Sequence, residues 1–171
     1  MDPIHTKIAG VCSGDRDTRQ AALEELADLR NANPDQKVYL DLVPHPENPY
    51  DPDAIAIFVN LPDLGRVQLG FIQNANTRCT FCDYRHERFP KNGCVRCGRT
   101  DSLEREGLAT RIAAEWRGDP EANFFAELLE VTGGTDSKNF GANILVRKAF
   151  KRKQSQVVDL AKPGTFGPRK R

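Results

Sequence analysis

The chain has 171 residues, of which 39% are hydrophobic and 29% charged, a composition typical of a soluble globular protein with one core. No apolar run approaches the roughly 20 residues of a membrane-spanning helix, and no basic segment followed by an apolar stretch marks a secretory signal. These features exclude a membrane-spanning protein and predict a cytoplasmic one.

The net charge of +1 is unevenly distributed along the chain. Nine lysines and arginines and one acid, Asp159, lie between Arg147 and Arg171, a local charge of +8 that leaves −7 for the preceding residues. Apolar periodicity stops beyond Phe150, so we predict a basic, disordered tail at 151–171. Such a tail is typical of contact with a polyanion, or it only keeps the terminus solvated.

Short strands dominate the predicted secondary structure. Alternating or apolar-rich runs predict strands at 5–12, 37–43, 54–60, 66–72, 124–131 and 142–149. With two helices, the order is β-α-β-β-β, an insertion, then α-β-β. This order predicts an α+β protein, mainly β with two helices, built as a small, partly open β-barrel flanked by helices.

The two helices are predicted from apolar residues that recur at three- to four-residue spacing. In the first helix these residues are Ala22, Leu23, Leu26 and Leu29. In the second helix they are Leu108, Ile112, Ala113 and Trp116. Asp17 and Gln20 are spaced as a capping box for the first helix, and Ser102 is a candidate cap for the second.

A proline-rich loop leads into the third predicted strand. Four prolines between Pro44 and Pro52 fix backbone φ and remove amide donors, so this segment cannot be helical. It carries Tyr50, Asp51 and Asp53 immediately before the alternating residues of the strand. A rigid loop with a ring and two carboxylates favours a site for a small polar group; alternatively, Asp51 only caps nearby amides.

Four of the five cysteines form two C-x-x-C knuckles separated by eleven residues: Cys79, Cys82, Cys94 and Cys97. Two such knuckles supply four thiolates for tetrahedral Zn²⁺, so the pattern predicts one structural zinc ion per chain in a zinc ribbon. Four cysteine ligands leave no open position for catalysis. An iron–sulfur centre is the main alternative, since a disulfide pair is not expected in a reducing cytosol. His86 lies between the knuckles, where it could replace a ligand or be a solvated loop residue.

The segment around the knuckles is rich in bases and aromatic rings. Its bases are Arg78, Arg85, Arg88, Lys91, Arg96 and Arg99. Its acids and rings are Asp83, Glu87, Phe81, Tyr84 and Phe89. Bases with exposed rings favour phosphate contact and base stacking, which makes Arg85, Arg88 and Arg96 candidate nucleic-acid-binding residues. Alternatively, the rings fill the small core of the ribbon and the charges keep it soluble.

Several pieces of the sequence resemble the HIRAN domain family. The most specific is the run Glu47-Asn-Pro-Tyr-Asp-Pro-Asp-Ala-Ile-Ala-Ile57, followed by Leu69-Gly70-Phe71-Ile72. Weaker similarities are Thr18-Arg19-Gln20 before the first helix and Val131-Thr-Gly-Gly134 before the last strand. The resemblance implies an OB-like β-barrel over residues 4–150, interrupted by the zinc-ribbon insertion at 76–106.

The resemblance also implies a pocket for the 3′ end of single-stranded DNA. In that pocket Asp51 would accept a hydrogen bond from the terminal 3′-hydroxyl and Tyr50 would form a wall, with Phe71 and Phe140 as further rings. A carboxylate accepts from a hydroxyl but repels an internal phosphate, which would give selectivity for an end.

The chain departs from the family's DNA-end-binding pattern just after the first strand. Residues 11–14 replace an Arg-Tyr-Tyr run, so two stacking rings and a phosphate partner are missing. Arg16 or Arg19 could supply the charge, and we include Arg19 among the candidate nucleic-acid-binding residues.

The sequence predicts a binding protein and no enzyme. It has no G-x-x-x-x-G-K-[ST] loop, and its three histidines suggest no nucleophile–base pair. We expect a nucleic-acid-binding module for single-stranded DNA or its 3′ end, accessory to repair, replication or restriction. One alternative is an adaptor that docks its zinc ribbon on a larger DNA-processing protein. A weaker alternative is a metal-dependent nuclease that uses Asp51 and Asp53.

Overall fold

The computed structural model describes residues 2–12, 14–73, 77–86, 90–135 and 138–149. The helices are α1 (Arg16–Ala32) and α2 (Leu108–Gly118). The strands are β1 (Ile4–Ala9), β2 (Tyr39–Pro44), β3 (Ile55–Leu61), β4 (Gly65–Ile72), β5 (Thr77–Cys79), β6 (Arg85–His86), β7 (Leu103–Arg105), β8 (Asn123–Thr132) and β9 (Gly141–Ala149). The predicted order of elements, with an insertion between β4 and α2, is confirmed.

Six antiparallel strands form a closed barrel in the order β1-β4-β3-β2-β8-β9. The mainly β fold with two helices is therefore confirmed, and the barrel is consistent with a small OB-like barrel. It is closed and not partly open because β1 pairs with two strands. Ile4–Lys7 of β1 pair with β9, and Ile8 and Ala9 pair with β4.

The close approach of β1 to β4 depends on a glycine. Gly70 lies in β4 opposite Ile57, at a shift in the β3–β4 register. A Cβ atom at Gly70 would overlap the carbonyl oxygen of Ala9 and crowd the Ile8 side chain. Only a residue without a side chain fits where two backbones come this close. Strand β1 ends at Ala9, before the predicted boundary, because Gly10 turns the chain with a φ of 75°.

The core fills the barrel, and the two helices cover opposite ends of β3. Leu23 and Leu26 of α1 and Ile112 of α2 are fully buried with the inward residues of the strands. Helix α1 contacts the turn after β3, where the Asp63 amide donates to Glu25. Helix α2 contacts the loop before β3 through the ion pair between Arg117 and Asp53. Neither helix in the described residues is long and apolar enough to cross a membrane.

The N-cap of helix α1 lies two residues before the predicted cap, Asp17. Its N-cap is Asp15, whose carboxylate accepts from the Thr18 amide at 3.4 Å. The assignment of Asp17 and Gln20 as a capping box is therefore wrong. Gln20 instead bridges two loops, because its amide group donates to the carbonyl oxygens of Val11 and Phe140.

Helix α2 has no side-chain cap, so the expectation for Ser102 is also wrong. The helix begins at Leu108 after Gly107. Ser102 is separated from it by β7, which pairs with β5 and belongs to the insertion. Its backbone carbonyl accepts from the Thr80 amide at 2.8 Å, which ties the end of the insertion to the first knuckle.

We expect Gly70→Ala to lower the free energy of unfolding by about 1–3 kcal/mol, because the new Cβ would force β1 away from β4. Urea unfolding followed by circular dichroism measures this change. The matched control is Gly118→Ala at the end of α2, where no atom lies within 4 Å of the added Cβ. Equal stability of the two variants would contradict the close-approach argument.

Candidate metal centre and nucleic-acid interface

The cysteine insertion is built on a three-stranded sheet in the order β6-β5-β7. Both knuckles close with the same backbone hydrogen bond: the Asp83 amide donates to the Cys79 carbonyl at 2.8 Å, and the Gly98 amide to the Cys94 carbonyl at 2.7 Å. Each knuckle also ends in a left-handed residue, Asp83 with φ 58° and Gly98 with φ 77°. Aspartate is among the side chains that tolerate this conformation, so the two knuckles share one geometry.

The four predicted ligands meet at one point. The sulfurs of Cys79, Cys82, Cys94 and Cys97 all lie within 4.8 Å of one another. Two of the separations are 3.6 Å, between Cys79 and Cys97, and 3.5 Å, between Cys82 and Cys94. Tetrahedral zinc with Zn–S bonds of about 2.3 Å places its sulfurs roughly 3.8 Å apart. The four cysteines can therefore hold a metal ion, and their chemistry is consistent with zinc.

Hydrogen bonds to the sulfur of Cys94 favour its thiolate form. Burial alone would raise the pKa of its thiol, but the backbone amides of Cys97 and Arg96 bond to its sulfur and favour the thiolate. With a further contribution from His86, these interactions lower the pKa of Cys94 to about 6. The second knuckle therefore offers a thiolate near neutral pH.

Cys82 and Cys97 retain their protons more strongly. Burial raises the pKa of the Cys82 thiol to about 12. The Arg99 amide favours the thiolate of Cys97, but burial and the neighbouring Cys79 thiol outweigh it and raise the pKa of Cys97. Since metal ligands must be thiolates, metal binding has to displace at least these two protons.

His86 lies beside the cluster and is not solvated. It is 6% exposed, and its ring meets that of Tyr84 at 4.9 Å between centroids. The group of four potential ligands does not include it. No sequence signal distinguishes a buried histidine of this kind from an exposed one in a short loop.

The proline-rich loop is held by its own side chains. The Asn48 side chain accepts from the amides of Tyr50 and Asp51 at 2.9 and 3.2 Å. Asp51 in turn accepts from the Asp53 amide at 2.9 Å through one carboxylate oxygen. The capping role that the sequence left open for Asp51 is therefore present, and it fixes the orientation of this carboxylate.

Tyr50 projects from this loop toward the cysteine insertion. Its side chain is 77% exposed, the most exposed of the large hydrophobic residues in the described part of the chain. The Lys91 ammonium nitrogen lies 5.8 Å from the centre of the Tyr50 ring. Lys91 precedes the second knuckle by three residues, so this contact joins the loop to the insertion. The sequence places Lys91 among six bases but does not distinguish it.

Asp53 does not share the environment of Asp51. It is buried, and its carboxylate accepts from Arg117 of α2 at 2.8 Å. The two residues are 64 positions apart, and the ion pair fastens the loop to the second helix. The only group of three or more potential metal ligands among the described residues is the cysteine cluster. The geometry thus gives no support to a two-aspartate metal site.

Phe71 has a guanidinium group and an imidazole as neighbours. Arg19 approaches its ring to 5.9 Å and the His45 ring lies at 5.8 Å, both measured to the Phe71 centroid. Arg19 is buried, and it donates to the carbonyl oxygen of Gly10 at 2.6 Å. The structure therefore brings Arg19 and Phe71 together, with Arg19 also holding the turn after β1. His45 has no motif of its own in the sequence.

Phe140 is held by the first helix. Its backbone amide and carbonyl are both bonded to the Gln20 side chain, at 2.7 and 3.1 Å. Its ring covers Gly134, where a Cβ atom would overlap it, and packs against the hydrophobic core. Phe140 thus connects the β8–β9 turn to α1.

The candidate arginines of the insertion have different surroundings. Arg85 pairs with Glu106 at 3.7 Å, and Glu106 also binds Arg78 at 3.2 Å. Arg96 is exposed at the second knuckle. Arg99 lies over the exposed ring of Phe81, 3.7 Å from its centre. Arg88 and the basic tail at 151–171 lie outside the described residues.

Comparison of the chain with family models, curated proteins and solved structures finds no match. Its function is therefore inferred from its own residues and their geometry.

We expect metal analysis of the purified protein to find about one zinc ion per chain. Cys94→Ser should lose it, because three thiolates hold zinc less tightly than four. Cys12→Ser is the matched control, since this exposed thiol is not part of the cluster. A folded protein that contains no metal, or a Cys94→Ser variant that retains it fully, would contradict the assignment.

Zinc affinity should fall steeply as the pH is lowered. The raised pKa values of Cys82 and Cys97 mean that at least two protons compete with the metal below these values. The apparent affinity should therefore decrease by roughly a hundredfold or more per pH unit between pH 8 and 6. Competition with a chromophoric chelator at several pH values measures the slope. An affinity independent of pH would show that the thiols are already ionised.

Proposed function

We propose that this protein is a nucleic-acid-binding module that holds a single DNA strand, or its 3′ end, next to a metal-stabilised ribbon. The observation that carries the proposal is the pairing of Tyr50 with Lys91. One residue comes from the barrel loop and the other from the cysteine insertion, so an exposed ring and a cation meet where two parts of the chain adjoin. The role is one of binding, with no reaction assigned.

A ring next to an ammonium group suits one nucleotide of a single strand. Stacking of a base on an aromatic ring contributes about 1–3 kcal/mol, and it tolerates any base. The ammonium can neutralise the phosphate of the same nucleotide. Phe81, 60% exposed and covered by Arg99, offers a second pairing of this kind on the first knuckle.

Selectivity for a 3′ end is the finer part of the proposal, and it depends on Asp51. The resemblance of residues 47–57 to HIRAN domains supports Asp51 as the acceptor for a terminal hydroxyl. Its bond to the Asp53 amide presets the carboxylate without a ligand, which lowers the entropic cost of binding. A terminal phosphate would instead meet a like charge.

A second candidate function is docking on a larger DNA-processing protein. Val95, 73% exposed at the tip of the second knuckle, favours it, together with the exposed Phe81 ring of the first knuckle. Exposed apolar side chains surrounded by bases are typical of a protein-interaction surface as well as of a nucleic-acid surface. Binding of oligonucleotides separates the two functions.

Tyr50→Ala should weaken binding of a short single-stranded oligonucleotide by roughly tenfold, because one stacking platform is lost. Lys91→Ala should weaken binding and reduce the slope of log affinity against log salt by about 0.7, the value for one phosphate contact on a single strand. Fluorescence anisotropy at several salt concentrations measures both effects.

The matched control for Lys91 is Lys37→Ala, an exposed lysine that pairs with Glu127 on the barrel. It should leave affinity and slope unchanged. Failure of the unmodified protein to bind any oligonucleotide at low salt would overturn the proposed function and favour docking on a protein.

Asp51→Asn tests end selectivity, because asparagine keeps an oxygen for the Asp53 amide but removes the charge. The unmodified protein should bind an oligonucleotide with a 3′-hydroxyl at least tenfold more tightly than the same strand with a 3′-phosphate, a difference of about 1.4 kcal/mol. Asp51→Asn should reduce this ratio toward one. Equal binding of both strands by the unmodified protein would eliminate end capture while leaving strand binding intact.

A further inference from the structure

His86 is a buried polar neighbour of the cysteine centre. Among the described residues, two buried side-chain nitrogens have no hydrogen-bond partner: Nε of Arg78 and Nε2 of His86. Arg78 is compensated by its ion pair with Glu106 at 3.2 Å. His86 Nε2 has no such compensation in this part of the chain, although buried polar atoms are nearly always paired.

The His86 ring is held in place from two directions. Its backbone pairs with Thr77 in the β5–β6 ladder, and the Tyr84 ring meets it edge to face. The imidazole also interacts with the sulfur of Cys94. A ring fixed in this way keeps Nε2 buried, and the nearest potential acceptor that the described residues identify is the sulfur of Cys94.

A metal-bound thiolate supplies the acceptor that His86 lacks. A thiolate accepts hydrogen bonds better than a thiol does, and residues that donate to ligand atoms orient them and tune the affinity for the metal. A neutral imidazole with its proton on Nε2 is a donor of this kind. The four thiolates also carry two negative charges more than a divalent ion neutralises, and a donor at one sulfur spreads this excess.

We propose that His86 is a positioning residue of the metal centre, whose Nε2–H donates a hydrogen bond to the Cys94 thiolate in the metal-loaded protein. The centre then consists of four sulfur ligands and one histidine outside the ligand set. This role does not depend on nucleic-acid binding.

Two substitutions of His86 separate the donor from the ring. His86→Phe keeps an aromatic ring beside Tyr84 but has no donor, whereas His86→Gln keeps a nitrogen donor near Nε2. In chelator competition with the full chain, His86→Phe should bind zinc 10–100-fold more weakly than the unmodified protein. His86→Gln should recover part of this loss. The control is His45→Phe, whose imidazole lies beside Phe71 of the barrel; this variant should bind zinc normally.

Cobalt(II) absorption distinguishes a donor from a ligand. The spectrum should be that of four thiolates in the unmodified protein and in both His86 variants. A spectrum with a nitrogen ligand that is lost in His86→Phe would overturn the proposal, because His86 would then bind the metal directly. Unchanged zinc affinity in His86→Phe would overturn it as well.

A measurement on the unmodified protein covers the case in which a variant does not fold. In NMR of the cadmium-loaded chain, the Nε2 proton of His86 should be visible, protected from exchange with water, and coupled to the metal through the Cys94 sulfur. A His86 without a proton on Nε2, or with rapid exchange there, would contradict the hydrogen bond.

Discussion

The pairing of β1 with both β9 and β4 is the constraint on which the rest of the structure depends. It closes the barrel and leaves none of the six strands with an open edge. The pairing requires Gly70, because a side chain there would collide with the Ala9 carbonyl. It also sets Phe71 opposite Ala9, so the turn after β1 brings Arg19 against the Phe71 ring. Closure of the barrel therefore brings together Arg19 and Phe71, two residues of the proposed binding surface.

In the cysteine insertion, the candidate metal centre is the feature that would hold the strands together. Strands β5, β6 and β7 contain only two or three residues each, and so small a sheet has little apolar surface to bury. A metal ion held by the four cysteines would supply the missing stability, as in other small metal-dependent folds. Lys91 lies close to the second knuckle, so its position beside Tyr50 depends on the order of that knuckle. This dependence connects the metal centre to the proposed nucleic-acid site.

The sequence predicted the strands, the helices and the cysteine turns, because each of these depends on residues that are close together in the chain. The alternation of apolar residues along β2 and β3, and their helical spacing in α1, indicate which side chains are buried. The C-x-x-C spacing indicates that two cysteines share one turn. Features that depend on distant partners could not be predicted in this way. The pairing of Asp53 with Arg117 joins residues far apart in the chain. The burial of His86, likewise, depends on how the insertion folds around its metal ligands. The sequence did not predict the cap at Asp15. The recurring apolar residues that predict α1 begin only at Ala22, so their spacing does not define where the helix starts.

In the proposed function, Tyr50 and Lys91 form one site for a single strand. Titration of the isotope-labelled, zinc-loaded protein with a short oligonucleotide that ends in a 3′-hydroxyl tests it most directly by NMR. We expect the largest shifts at Tyr50, Asp51 and Lys91, with smaller shifts at Phe71. Shifts confined to the outer surface of β8 and β9, or no shifts at low salt, would contradict it.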